Sequence, residues 1–402
     1  MTPPELSDSS TPPPPPPADR RPWHRPMRPR SVDEPHRVAT PLELLFDLCF
    51  VVAVAQSSTK LHHALGEGHM GSGAVAYLTV FFAVWWAWMN FTWFASAYDV
   101  DDVPYRAAAF VQIAGVLILA AGVPRAFDDD FAVVTLGYAV MRCGLVAQWL
   151  RAARGADAAG ARTAHGYALG VSVCMIGWAA LLAVPDGWRL LGFVVMVLAE
   201  LAVPIVAERA GRTPWHPHHI AERYGLFTII VLGESVLSAT VAVQSAVDAD
   251  QAGAALFGVA AGGLLTVFAM WWLYFARSAH RFLVANRVSF VWGYGHFFIF
   301  AAAAAVGAGL AANTDHVTHH GEIDRFAASA AVTVPVAVFL VTVALLHLRP
   351  HHAGRVQTAL VVLAAAAVLA VTFSPEPVLA TGLVLTGLIV ATEVAGGTRS
   401  AR

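Results

Sequence analysis

Charged residues are scarce in this sequence. Asp, Glu, Lys and Arg make up 13% of its 402 residues, 57% are hydrophobic, and the mean hydropathy is +0.60. A soluble domain carries about 25% charged residues, so a soluble fold is excluded. Short strands of alternating polarity with turn punctuation are also missing, which argues against a β-barrel. Cysteine is limited to Cys49, Cys143 and Cys174. All three fall inside apolar stretches, where a thiol behaves as a small apolar group, so neither a disulfide framework nor a redox pair is expected. Walker A, GxSxG, CxxC and HExxH patterns are absent, which removes the motif basis for an ATPase, a serine hydrolase or a zinc enzyme. A net charge of −2 and a pI near 6.8 give no basis for nucleic-acid binding. No enzymatic activity, cofactor or metal is expected.

What is present is a series of apolar stretches, each long enough to cross about 30 Å of hydrocarbon as a helix. They fall near 42–64, 73–97, 106–123, 131–150, 164–184, 188–207, 220–246, 252–276, 288–312, 326–347, 355–373 and 376–394. The expected fold is an all-α polytopic membrane bundle of about twelve helices. The last two stretches, joined by Ser374-Pro375, form either two full spans or a re-entrant hairpin. Arginine orients the chain. The segment before the first span holds Arg20, Arg21, Arg25, Arg28, Arg30 and Arg37, and every even-numbered connection adds at least one more. The odd-numbered connections hold only Lys60, Arg125, Arg189 and Arg325. By the positive-inside rule both termini are expected in the cytoplasm of a bacterial cell, with the chain in its inner membrane. Residues 1–38, with the proline run from Pro12 to Pro17, read as a disordered tail whose arginines touch anionic lipid. No cleavable signal peptide is expected, because this Arg-rich segment leads directly into a full-length span.

An internal echo divides the rest of the chain. Phe82-Ala83-Val84-Trp85-Trp86 matches Phe268-Ala269-Met270-Trp271-Trp272, Arg106 with Phe110-Val111 resembles Arg287 with Phe290-Val291, and Gln56-Ser57 falls opposite Glu234-Ser235. The offsets lie near six spans, an even number, so two parallel six-helix halves are expected, 39–209 and 210–395, followed by a short tail, 396–402.

Four blocks carry a family resemblance: TPLELLFDLCFVVAVAQSS from Thr40 to Ser58, Tyr98-Asp99-Val100-Asp101-Asp102 with Tyr105-Arg106, HIAERYGLFTIIVLGES from His219 to Ser235, and the stretch from Asn286-Arg287 to His296. Together they resemble the bacterial low temperature requirement A family, named for a growth phenotype in the cold. Cys49 departs from the aliphatic residue more usual in that family. The resemblance implies a polytopic inner-membrane protein and assigns no biochemical activity.

Ionisable residues inside apolar spans mark the candidate site, because an isolated charge at mid-bilayer costs roughly 2.5 to 3.5 kcal/mol. They are Asp47, Arg142, Glu200, Glu234 and His296, with the polar neighbours Ser235 and Gln56. Counting along the spans places Asp47 roughly 8 Å, His296 roughly 12 Å and Glu234 roughly 20 Å from the cytoplasmic ends. A single arginine, Arg142, is then expected to serve as counter-charge to Glu234, Glu200 or Asp47, leaving surplus carboxylates suited to carrying protons. The alternative is a static ion pair that fixes helix packing.

At the span starts, Glu43 and Asp47 share a face behind Thr40 and Pro41, and Glu222 and Arg223 open the seventh span. Arg223 and Glu234, eleven residues apart, also share a face. The acidic loop Asp99, Asp101, Asp102 with Arg106 is expected to latch onto arginines such as Arg277 and Arg281, unless it is merely solvated or binds an ion. The histidine groups, including His62-His63 and His351-His352, lack a metal-binding pattern. The tryptophans, from Trp85 to Trp93 and Trp271-Trp272, read as packing and interface anchors. The expected function is an ion-coupled secondary transporter of a small solute or ion, with Glu234 and Asp47 as its carboxylates. A cation channel and a non-transporting sensor or scaffold are the rivals, and a homo-oligomer is left open.

Overall fold

In the computed structural model, residues 23–31, 34, 37–248, 250, 253–277, 280, 283, 285–319, 323–348 and 355–400 are described. Arg20, Arg21, Pro12 to Pro17, Arg281, Arg349, His351 and His352 lie outside them.

Twelve helices long and apolar enough to span a membrane make up the described residues, which contain no strand. They are α1 (Pro41–Gly66), α2 (Met70–Tyr98), α3 (Val103–Ala126), α4 (Ala132–Gly155), α5 (Ala158–Leu181), α6 (Asp186–Ala207), α7 (Pro217–Asp248), α8 (Ala254–Phe275), α9 (Asn286–Val317), α10 (Arg325–Val343), α11 (Arg355–Ala370) and α12 (Pro377–Ser400). A π-helical turn, Ala344–Leu348, extends α10, and a 3-10 turn, Val371–Phe373, extends α11. The start of α1 shows how local chemistry sets a boundary. Thr40 Oγ1 accepts from Glu43 N at 3.3 Å, the Glu43 carboxylate accepts from Thr40 N at 2.8 Å, and Pro41 supplies a pre-set φ.

Hydrogen bonds between connections show which helix ends share a face. Arg25 N and Arg151 both reach Asp102, Arg30 N reaches Ala97 O, Asn286 reaches Glu208, and Arg277 reaches Gln357, so the N-terminal segment and the even-numbered connections lie together on what we call the tail face. On the far face His62 meets Asp315, Arg189 meets Asp129 O, and Arg325 meets Ser374 O. Gln357 and Ser374 thus hold the two ends of α11 at opposite faces, and Trp272 bonds Glu393 near the end of α12. The last two helices are full spans, not a re-entrant hairpin.

The stretch nearest the first helix is packed, in contrast to the loose tail expected. Met27 is buried, and Arg37 donates to the carbonyls of Ser96 and Ala95 in the last turn of α2, where Ala95 O also accepts from Asp99 N. Composition alone misses such a segment because a few buried anchors decide it.

At the centre stands α9, buried from Ile299 to Thr314. Its run of Ala and Gly lets neighbours approach closely: a Cβ on Gly309 would lie 2.2 Å from Ala331 O, and one on Gly307 2.8 Å from Ser235 Cα. Small residues also join α3 to α4, where a Cβ on Gly137 would lie 2.4 Å from Leu119 N. Neighbour relations run in parallel through the chain, α3 on α4 as α9 on α10, and α1 on α3 as α7 on α9.

Candidate functional site

The ionisable residues inside the spans do not converge. They form three separate groups and one solitary carboxylate.

Near the tail face, α1, α2 and α7 enclose a charge lattice. Arg223 binds Asp47 through Nη2 at 2.5 Å and Nε at 3.2 Å, and its Nη1 lies 2.9 Å from Glu43. Trp88 donates its indole N–H to Asp47 at 2.7 Å, and His219 lies 3.2 Å from Glu43. Arg37 completes the lattice at 4.0 Å from Glu43 and 3.8 Å from Asp99. Glu43, Asp47, His219 and Arg223 have no exposed surface. Asp99, in the connection after α2, has its carboxyl pushed up to about 6 by burial, with the Glu43 charge adding to the effect and Arg37 opposing it.

Arg223 is therefore the partner of Asp47, and the expected pairing of Arg142 with Asp47 or Glu234 is not formed. Depth along separate helices sets height in the membrane, whereas lateral neighbours are set by packing. Arg142 belongs to a second group inside the first six helices. Glu200 on α6 takes hydrogen bonds from Arg142 Nη2 and the Tyr138 hydroxyl on α4 and the Trp178 indole on α5, each at 3.1 Å, and from the Trp86 indole on α2 at 2.8 Å. Nε and Nη1 of Arg142 find no acceptor among the described residues. His296 forms the third group, with its Nδ1 2.7 Å from Trp292 O, its Nε2 3.0 Å from the Tyr274 hydroxyl, and the rings of Tyr224, Phe300 and His347 around it.

Glu234 stands alone. Among the described residues no cation pairs with it, and its one hydrogen bond comes from Ser238 at 3.2 Å. It lines a cavity of about 510 Å³ between α1, α7 and α9, together with Ser58, Thr59, Ser245, Thr314 and the His62–Asp315 pair. These residues extend from Glu234 to the far-face ends of the three helices. On the other side of Glu234 the path is packed. Trp88 stacks on Phe227 with centroids 4.4 Å apart, and Phe227 meets Phe300 at 5.0 Å, between Glu234 and the Asp47–Arg223 lattice. Ser235 does not face the cavity carboxylate; its hydroxyl donates to Ala303 O at 2.7 Å and fastens α7 to α9. Gln56 is exposed on the outside of the bundle and takes no part.

The acidic loop is latched, but not to Arg277. Asp102 caps α3 through Tyr105 N and accepts from Arg151 and Arg25 N, and Asp101 holds Arg106 at 2.7 Å. Glu222 accepts from Ala39 N at 3.4 Å. Trp86 and Trp88 prove to be donors to buried carboxylates as well as packing residues. A tryptophan and a carboxylate on facing spans were the only signal for this. Among the described residues no three His, Cys, Asp or Glu side chains converge as metal ligands.

An uncharacterized protein of Rhizobium meliloti (strain 1021) is 28% identical over 247 residues, which cover 60% of this chain and about 58% of that relative's length. No solved structure matches the chain. Residues 38–392, nearly all of the helical bundle, match the model of the bacterial low temperature requirement A protein, LtrA, and the chain belongs to that family.

Proposed function

We propose that this LtrA-family membrane protein is a proton-linked secondary transporter of a small solute or ion, with Glu234 as the carboxylate that gains and loses the proton. One observation carries the reading: among the described residues Glu234 has no cation partner, and it faces a cavity that ends at it. A buried carboxylate without a counter-charge is stable only if protonated, hydrated or bound to a cation, and exchange among those states is what coupling requires. The aromatic layer of Trp88, Phe227 and Phe300, with the Asp47–Arg223–Glu43 lattice behind it, supports a closed tail side. In this reading the lattice must part for cargo to leave there, so Asp47 serves closure and Glu234 coupling. Arginine asymmetry supports a bacterial inner membrane with both termini cytoplasmic.

Proton flux into proteoliposomes under an imposed pH gradient tests this, using the native protein and Glu234→Gln. The expected result is flux in the native protein that is lost in a variant of unchanged thermal stability. Equal flux in both proteins, or none in either, overturns the reading.

A further inference from the structure

The two six-helix halves differ in one respect. In the second, α12 lies directly against α8, so that a Cβ on Gly262 would sit 2.4 Å from Leu379 N. In the first, α6 stands away from α2 and reaches it through long side chains, the Trp86–Glu200 hydrogen bond and the Phe82–Phe193 ring contact at 6.1 Å. Between them lies a crevice of about 750 Å³, within the range of about 300 to 1,000 Å³ of small-ligand sites. Val75, Ala76, Ala83, Leu181, Leu190 and Phe193 wall it, and Tyr138 and Trp178 close it above the Arg142–Glu200 pair. Leu190 on its α6 wall is exposed, and Leu191 and Val194 beside that wall leave α6 with a bare apolar surface next to the crevice. Apolar walls in contact with acyl chains gain dispersion energy by being filled.

Its far-face rim is polar and acidic. Arg189 donates to Asp129 O at 3.2 Å and pairs with Asp186 at 2.7 Å. The Asp130 carboxylate caps Ala132 N at 3.1 Å through one oxygen, and among the described residues the Asp129 carboxylate has no partner. The rim thus holds two carboxylates beyond what Arg189 offsets, next to an arginine able to reach a phosphate.

We infer that this crevice seats an aminophospholipid, with an acyl chain between α2 and α6, the ammonium at Asp129 and Asp130, and the phosphate beside Arg189. The site is separate from the Glu234 cavity and stands whether or not the transport reading does.

Native mass spectrometry and thermal unfolding of the purified protein in detergent test it, with phosphatidylethanolamine or phosphatidylglycerol added. Phosphatidylethanolamine should be retained and raise Tm, with phosphatidylglycerol weaker by about tenfold, one charge-assisted contact's worth of affinity. Ala83→Phe, which fills the crevice, should abolish both effects. Asp129→Asn with Asp130→Asn lies on the exposed rim, should fold normally, and should erase the preference between the two lipids. Equal stabilisation of the native protein by both lipids, unchanged retention in Ala83→Phe, or equal stabilisation by free phosphoethanolamine would each overturn the proposal.

Discussion

Replacing Asp47 with Asn removes one charge from the lattice and leaves its shape nearly intact. The new carboxamide oxygen still accepts from Trp88, while Arg223 keeps only Glu43, at 2.9 Å, as an ionic partner. Breaking a buried pair costs about 3 to 5 kcal/mol, and the surviving Glu43 contact puts this variant near 3. Hydrogen bonding alone gives much less, about 0.6 kcal/mol for an average interhelical bond in a membrane. The size of the loss therefore separates a charge effect from a hydrogen-bond effect. Arg223→Gln should cost more, since it leaves both Glu43 and Asp47 without their nearest cation. The double variant should lose less than the sum, with a coupling of about 0.5 to 3 kcal/mol. Reversible unfolding in mixed micelles, followed by tryptophan fluorescence, gives these values. Glu234→Gln is the internal comparison, and its loss should stay within about 0.5 kcal/mol because no partner is left unpaired. If Asp47→Asn and Glu234→Gln prove equally mild, the lattice is not a structural charge network and the reasoning fails.

The raised Asp99 carboxyl makes the tail face sensitive to pH. Its folded value near 6 exceeds the ordinary 3.8, so its contribution to stability is fully present below about pH 3.8 and is lost as pH rises through 6. Stability of the native protein should fall over that window relative to Asp99→Asn, and parallel curves for the two proteins would refute the assignment. Gly137→Ala should destabilise by about 1 to 3 kcal/mol, because its Cβ would meet the backbone of α3 at Leu119 N and Gly115 O. Gly71→Ala, with nothing within 4 Å of its Cβ, is the control, and equal unfolding temperatures for both variants would refute the close α3–α4 approach.

Much of the fold was legible because hydropathy and arginine sidedness are one-dimensional signals. Each span, including the doubtful last pair, is set by its own length and composition. Glu234 was legible for the same reason, as a charge in an apolar run. Its solitude was not, since the supposed partner Arg142 lies at a suitable depth but on a helix that faces Glu200. Arg223 was hidden by its position. Near the start of a span it counts as one more tail-side arginine, and only the approach of α7 to α1 turns it into the partner of Asp47. Arg37 and Met27 were lost in a segment of polar, proline-rich composition, because the α2 carbonyls that Arg37 binds and the packing that buries Met27 leave no mark in the tail itself. The stand-off of α6 from α2 is likewise a property of packing between helices far apart in sequence, which no repeat of short motifs records.

The Asp47–Arg223 contact joins residues 176 positions apart. At about 5 to 20 residues per second of synthesis, α1 waits roughly 9 to 35 s after leaving the ribosome before its counter-ion exists. During that interval Arg37 is already available to Glu43, but the nascent chain must shelter Asp47 by protonation, by a position at the lipid headgroups or inside the insertion machinery. The first six helices alone would leave Asp47 without its cation. Biogenesis should therefore be most vulnerable to delay or truncation between the sixth and seventh spans, where a half-made protein is most open to quality-control proteolysis.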